Sequence, residues 1–437
     1  MNKSLLKDLD NLVRANILTT ELAEKIAQYY KNKDAEPNAR FNIVLGILGA
    51  LLIGFGFVLL VAHNWDEMSR SAQTFFAFLP LAVGQGLCAF TLVTRRQNIA
   101  WRESSAVILF FAVASCIALI SQIYHITGTL DGFIFTWLLL TAPLIYLMRS
   151  SVVSLLVIAA ATWYAVLVGY QNIFSSSYTG IPYLYLGLLL FIVPHYYQFF
   201  KFNRHGNFFH LHNWFLVISM TIALGAFVGK SEDLFHWIFI GYFCLFGIYY
   251  LVGESVYFKE NRLFANPFLI TGIMGSILIL LFWSYDALWK ELKESSPLQH
   301  TDIFGSLFFY LSVTLCLVHI YLLMKWRKFR DEMLDPLQFS MYVFALSVLL
   351  FSRVPIAGLL VINAWILLIA MFYIRKGAIR DHLGILNFGL LIIASLALLR
   401  FFDDSIAFVW RGLFFVATGV GFFLANYLLL KKRKSAS

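Results

Sequence analysis

The chain has 437 residues, 60% of them hydrophobic and only 13% charged, with 33 Lys and Arg against 24 Asp and Glu and a formal charge of +9. A soluble domain carries about 45–50% apolar and about 25% charged residues, so the composition excludes a large soluble enzyme, a disordered segment and a secreted disulfide scaffold. The apolar residues fall in runs of roughly twenty, the length that crosses a hydrocarbon core about 30 Å thick, and the chain reads as an all-α, polytopic membrane bundle.

Residues 3–36 read as two short amphipathic helices, with Leu5, Leu9, Leu12 and Val13 at helical spacing and Thr20 capping a helix from Glu21 to Tyr30. No apolar core or cleavage site follows the first basic residues, so the amino terminus is expected in the cytoplasm. The organisation is therefore a cytosolic two-helix hairpin over residues 1–38 and a transmembrane domain over 39–437.

Fourteen spans are predicted, at 41–62, 71–94, 104–122, 132–148, 151–170, 181–200, 211–229, 234–253, 265–285, 303–324, 337–352, 355–374, 382–401 and 405–430. The pair at 337–374, around Arg353 and Pro355, is the weakest of these, with a re-entrant hairpin as its alternative, which gives a range of 12–14. Small residues repeat every fourth position at Gly46, Ala50 and Gly54 and at Ala417, Gly421 and Ala425, a pattern that lets helices approach closely in lipid. With the amino terminus inside, the inner loops and tail hold nineteen Lys and Arg and the outer side seven, so both termini are placed in the cytoplasm. The basic charge is a topology signal, and nucleic acid is not expected as a partner.

Cys88, Cys116, Cys244 and Cys316 lie inside apolar runs without CxxC spacing or a neighbouring His cluster, so they read as core thiols and no metal is expected. Ionisable groups at membrane depth are costly, which makes each one a functional candidate. Three groups stand out. Asn64, Trp65 and Asp66 follow the first span at the outer interface. Gln122, Tyr124 and His125 end the third span, with Asp131 opening the fourth; a His beside a carboxylate is suited to cation binding or proton exchange near neutral pH. Gln122 and His125 share a face if the helix continues through them. The third group is a charge cluster, Arg400, Asp403, Asp404 and Arg411, expected to pair internally or to hold an anion. Asn363 reads as an interhelical hydrogen-bond donor and His319 as a packed core residue.

No Walker A loop, GxGxxG, HExxH or GxSxG is present, so no catalytic residue and no cofactor is assigned. The segments GALLIGFGFVLLVAHNWDEMSR and ALISQIYHITGTLDGFIFTWLLLTAPLIYLMRSS resemble the bacterial membrane proteins grouped as domain of unknown function 2157, most specifically over residues 1–150. That resemblance implies a bacterial inner-membrane protein and supplies no substrate. Taken together, the residues favour a transporter or flippase-like protein binding a small solute or lipid head group in an outward-facing polar pocket. The alternatives are a sensor or scaffold contacting a cytosolic partner through residues 1–36, and a membrane enzyme acting on lipid-linked substrates.

Overall fold

The computed structural model describes residues 17–34, 68–174, 182–228, 235–258, 263–295, 306–327 and 335–401, with further positions among 9–15, 44–56 and 409–423. Among them the regular structure is helical, without a strand. Among the described residues nine helices are long and apolar enough to cross a membrane, or ten if one bent pair counts as a span. The elements are α1 (Thr20–Asp34), α2 (Arg70–Thr94), α3 (Ile99–Ile123), α4 (Leu130–Thr141), α5 (Leu144–Leu147), α6 (Ser151–Phe174), α7 (Tyr183–Phe202) and α8 (Asn207–Ala226). They continue with α9 (Phe235–Gly253), α10 (Pro267–Phe282), α11 (Asp286–Ser295), α12 (Leu307–Arg327), α13 (Ser340–Phe351), α14 (Pro355–Ile379) and α15 (Leu383–Phe401).

The helix starts follow local capping chemistry. Ser69, Asn98, Thr129 and Asn266 each accept a hydrogen bond from a backbone N–H in the first turn of the helix that follows. Pro267 and Pro355 occupy first-turn positions, where the missing N–H costs nothing. Pro143 separates α4 from α5, because a proline there withholds the N–H that would continue the helix.

The chain divides into two compact units, residues 1–161 with 188–195 and residues 162–187 with 196–437. In the first, α2 packs along α3, and α3 along α4. Its aromatic centre joins Phe110 and Trp137, with ring centroids 4.6 Å apart, and the indole N–H donates to the Phe110 carbonyl at 2.8 Å. Gly46 lies against Ser104 of α3. In the second unit, α9 packs on α10, α12 and α13, and α14 on α15. Here Gly272 of α10 faces the backbone of Tyr250, and Gly389 of α15 faces that of Ala370, approaches that any side chain would block. Many apolar side chains along these helices stay exposed, among them Leu139, Leu190, Leu278, Leu317, Leu360 and Leu391. Exposure of that extent on apolar helices fits contact with lipid tails.

Three expected elements differ in detail. The second amino-terminal helix starts at Thr20 and runs to Asp34, beyond Tyr30. The expected span 265–285 stops at Phe282, and α11 leaves it at 73°. α13 has twelve residues, about 18 Å of helix and shorter than the hydrocarbon core. The expected spans 41–62 and 405–430 lie mostly outside the described residues; Ala417 and Gly421, which are described, are exposed.

Candidate functional site

The clearest polar assembly of the first unit is the corner between α3 and α4. α3 ends at Ile123, so Gln122 and His125 do not share a helical face. The chain turns because His125 adopts φ +50°, the left-handed region, while Ile126 N–H donates to the Ser121 carbonyl at 2.9 Å and His125 N–H to the Gln122 carbonyl at 3.3 Å. That is the helix-ending motif in which glycine usually takes the left-handed place. Arg149 and Asp381 have the same positive φ.

The corner is anchored on two sides. The Ser121 hydroxyl donates to the Ile126 carbonyl at 2.9 Å, and the Tyr124 hydroxyl shares a 3.2 Å hydrogen bond with Thr74 Oγ1 of α2. Beneath it Ile123 and Ala77 are buried, with Phe76, Leu119 and Ile120 packed on them. Gln122, Tyr124 and His125 are exposed, and Asp131 is half-buried in the first turn of α4, where a carboxylate is favoured by the helix dipole. An exposed imidazole, phenol and amide on a pinned turn offer hydrogen-bond donors and acceptors to a ligand. Asn64, Trp65 and Asp66 lie outside the described residues.

In the second unit, Arg400 of α15 is used at the break between α10 and α11. Its guanidinium donates to the Ser284 carbonyl and, at 3.2 Å, to Asn363 Oδ1, and it lies 5.5 Å from the centre of the Tyr285 ring. Asn363 Nδ2 donates to the same Ser284 carbonyl at 3.4 Å. A bent helix end frees carbonyls that no water reaches in lipid, and these two side chains satisfy one of them. α11 then folds back with Trp289 and Leu292 fully buried, the indole donating to the Trp283 carbonyl at 2.9 Å. Asp403, Asp404 and Arg411, the other members of the charge cluster, lie outside the described residues.

Two buried acids were not among the sequence candidates. Glu103 of α3 is 1% exposed; its carboxylate accepts from the Ser150 hydroxyl, from Ser151 N–H at 2.9 Å and from Val152 N–H at 3.1 Å. The Ser150 hydroxyl accepts in turn from Val153 N–H, so one carboxylate and one serine close the amino end of α6. Asp335 accepts from the Tyr250 hydroxyl at 2.8 Å, from Leu337 N–H at 3.0 Å and from Lys376 Nζ at 3.4 Å. Lys376 lies 5.7 Å from the centre of the Tyr373 ring. Both acids sit beside basic residues that the topology reading counts as loop charges, and one sequence gives no signal of a partner roughly forty residues away.

Residues 10–154 match the family described as predicted membrane protein (DUF2157), the family that the sequence resembles. The matched stretch contains the corner with Asp131, and also Glu103 and the Ser150 cap. No curated protein and no solved structure matches the chain.

Proposed function

We propose that this membrane protein is a transporter or flippase-like protein of the bacterial inner membrane, with both termini in the cytoplasm. In this reading it binds a small solute or lipid head group at an outward-facing polar site. The observation that carries the reading is the α3–α4 corner, where a histidine occupies the left-handed position that glycine fills without strain. A non-glycine residue held there points toward a use for its side chain.

His125 and Asp131 are the groups that respond to protons or cations, and Gln122 and Tyr124 orient the ligand. Glu67, Met68 and Ser69 separate Asp66 from Arg70, the first residue of α2. Asp66 joins His125 and Asp131 in the response to protons or cations, and Asn64 helps orient the ligand. In the second unit, the 73° break after α10 supports a transport role independently, since interrupted helices recur at the binding sites of transporters. Arg400 serves there as the structural clamp, and Arg411 is the charge proposed for an anion.

A screen of purified protein in nanodiscs against envelope lipids and small solutes tests the reading through thermal shifts. The expected result is a ligand that stabilises the native chain and loses its effect in His125→Gly and Asp131→Asn. His125→Gly is informative because it relieves backbone strain of about 1 kcal/mol and so leaves the fold intact or firmer. A ligand shift that survives both substitutions contradicts the proposal.

A second reading rests on the hairpin, where Ile17 and Leu22 are 70% and 49% exposed. Apolar residues so placed suit a cytosolic protein partner, and deletion of residues 1–36 then abolishes partner capture while leaving ligand binding unchanged.

A further inference from the structure

Two of the four cysteines, far apart in the chain, meet in the second unit. Along α9, Gly241, Cys244 and Gly247 face Ser312, Cys316 and His319 of α12 in the same order, so the two helices run side by side in one direction. The glycines set the closeness: a Cβ at Gly241 would lie 2.8 Å from Ser312 Oγ, and one at Gly247 would lie 2.8 Å from His319 Nε2. Between these two approaches, Cys244 on α9 and Cys316 on α12 lie opposite each other along the same seam. Both are free thiols; Cys244 is buried and Cys316 half-buried. Ser312 Oγ and His319 Nε2 are buried without a hydrogen-bond partner, and His319 is held through Nδ1 by the Tyr342 hydroxyl at 3.0 Å.

A seam between apolar helices that contains two facing thiols and two unsatisfied polar atoms is poor packing chemistry but workable redox chemistry. We propose that Cys244 and Cys316 form a reversible dithiol–disulfide pair inside the membrane, oxidised by a lipid-soluble quinone. Two S–H bonds break and one S–S bond forms; the two electrons and two protons pass to the quinone oxygens, giving the hydroquinone. Access determines the class of oxidant. Val313 and Leu317, on either side of Cys316 along α12, are exposed apolar residues, so the acceptor arrives through hydrocarbon and a hydrophilic thiol or disulfide has no route. Cys316 is the accessible thiol, Cys244 the buried partner that closes the bond, and His319 Nε2 an open proton acceptor one turn along α12.

The test uses the full chain in nanodiscs, incubated with a short-chain ubiquinone, quenched in acid, unfolded and alkylated before mass spectrometry. Alkylated thiols are expected to fall from four to two, with a linked Cys244–Cys316 peptide pair about 2 Da lighter than the two reduced peptides. Cys88 and Cys116 keep their alkyl groups, and in Cys316→Ser the Cys244 thiol stays fully alkylated after quinone. Four alkylated thiols after quinone treatment of the native chain overturn the proposal, whatever the variant does. Loss of alkylation at Cys88 or Cys116 in place of the pair overturns it as well.

Discussion

Glu103 accepts three hydrogen bonds at the amino end of α6 while nearly excluded from solvent. A carboxylate aimed at free N–H groups is stabilised both by those bonds and by the helix dipole. Glu103→Ala leaves the Ser151 and Val152 N–H groups unpaired, and such a loss costs about 1–3 kcal/mol. The expected outcome is a fall of several degrees in the apparent Tm of the detergent-solubilised protein, with Glu103→Gln falling less because an amide oxygen still accepts. Equal Tm values for all three proteins would refute the clamp. This residue was invisible in the sequence for a physical reason: Glu103 stands at the edge of an apolar run, where a charge ordinarily faces headgroups and water. His125 is the opposite case. Its chemistry was legible, but whether the helix ran far enough to put Gln122 and His125 on one face was not, because nothing in Gln-Ile-Tyr-His announces a left-handed residue that glycine usually supplies.

At the scale of elements, hydropathy located the long helices well, since a run of apolar residues has one available structure in lipid. It misplaced what happens where polar partners arrive from elsewhere. The expected span 265–285 breaks at Trp283-Ser284-Tyr285 because Arg400 and Asn363, from α15 and α14, receive the Ser284 carbonyl. After the break, Trp289 of α11 is fully buried against Gly358 of α14. That docking depends on Gly358, where any Cβ would collide with the Trp289 ring. Gly358→Leu is therefore expected to expel α11 from the bundle. Limited proteolysis should then cut within residues 286–295 at a rate at least tenfold above that of the native chain. An unchanged cleavage pattern would show that α11 is held by something other than this contact. The same logic explains why Cys244 and Cys316 read as ordinary core thiols: their partnership is set by the packing of α9 on α12, with seventy-one residues between the two positions.

For the whole molecule, the membrane class was legible in composition, and the family resemblance was legible over the matched stretch, residues 10–154. Direction across the membrane rests on the uneven distribution of Lys and Arg. Lys376 illustrates why loop charges are an imperfect guide, since it is engaged by the buried Asp335. The proposed function joins these scales. It requires the α3–α4 corner to stand on the outer face, open to water, with its imidazole and carboxylate available to a ligand. Single cysteines at His125 and Asp131, in a chain whose four native cysteines are serine, make that requirement measurable with a membrane-impermeant maleimide on intact cells. The account predicts prompt labelling at His125→Cys from outside, slower labelling at the half-buried Asp131→Cys, and protection of both by an added envelope extract. Labelling of neither position until the cells are opened would place the corner on the cytoplasmic side or within the bundle, and would contradict an outward-facing site.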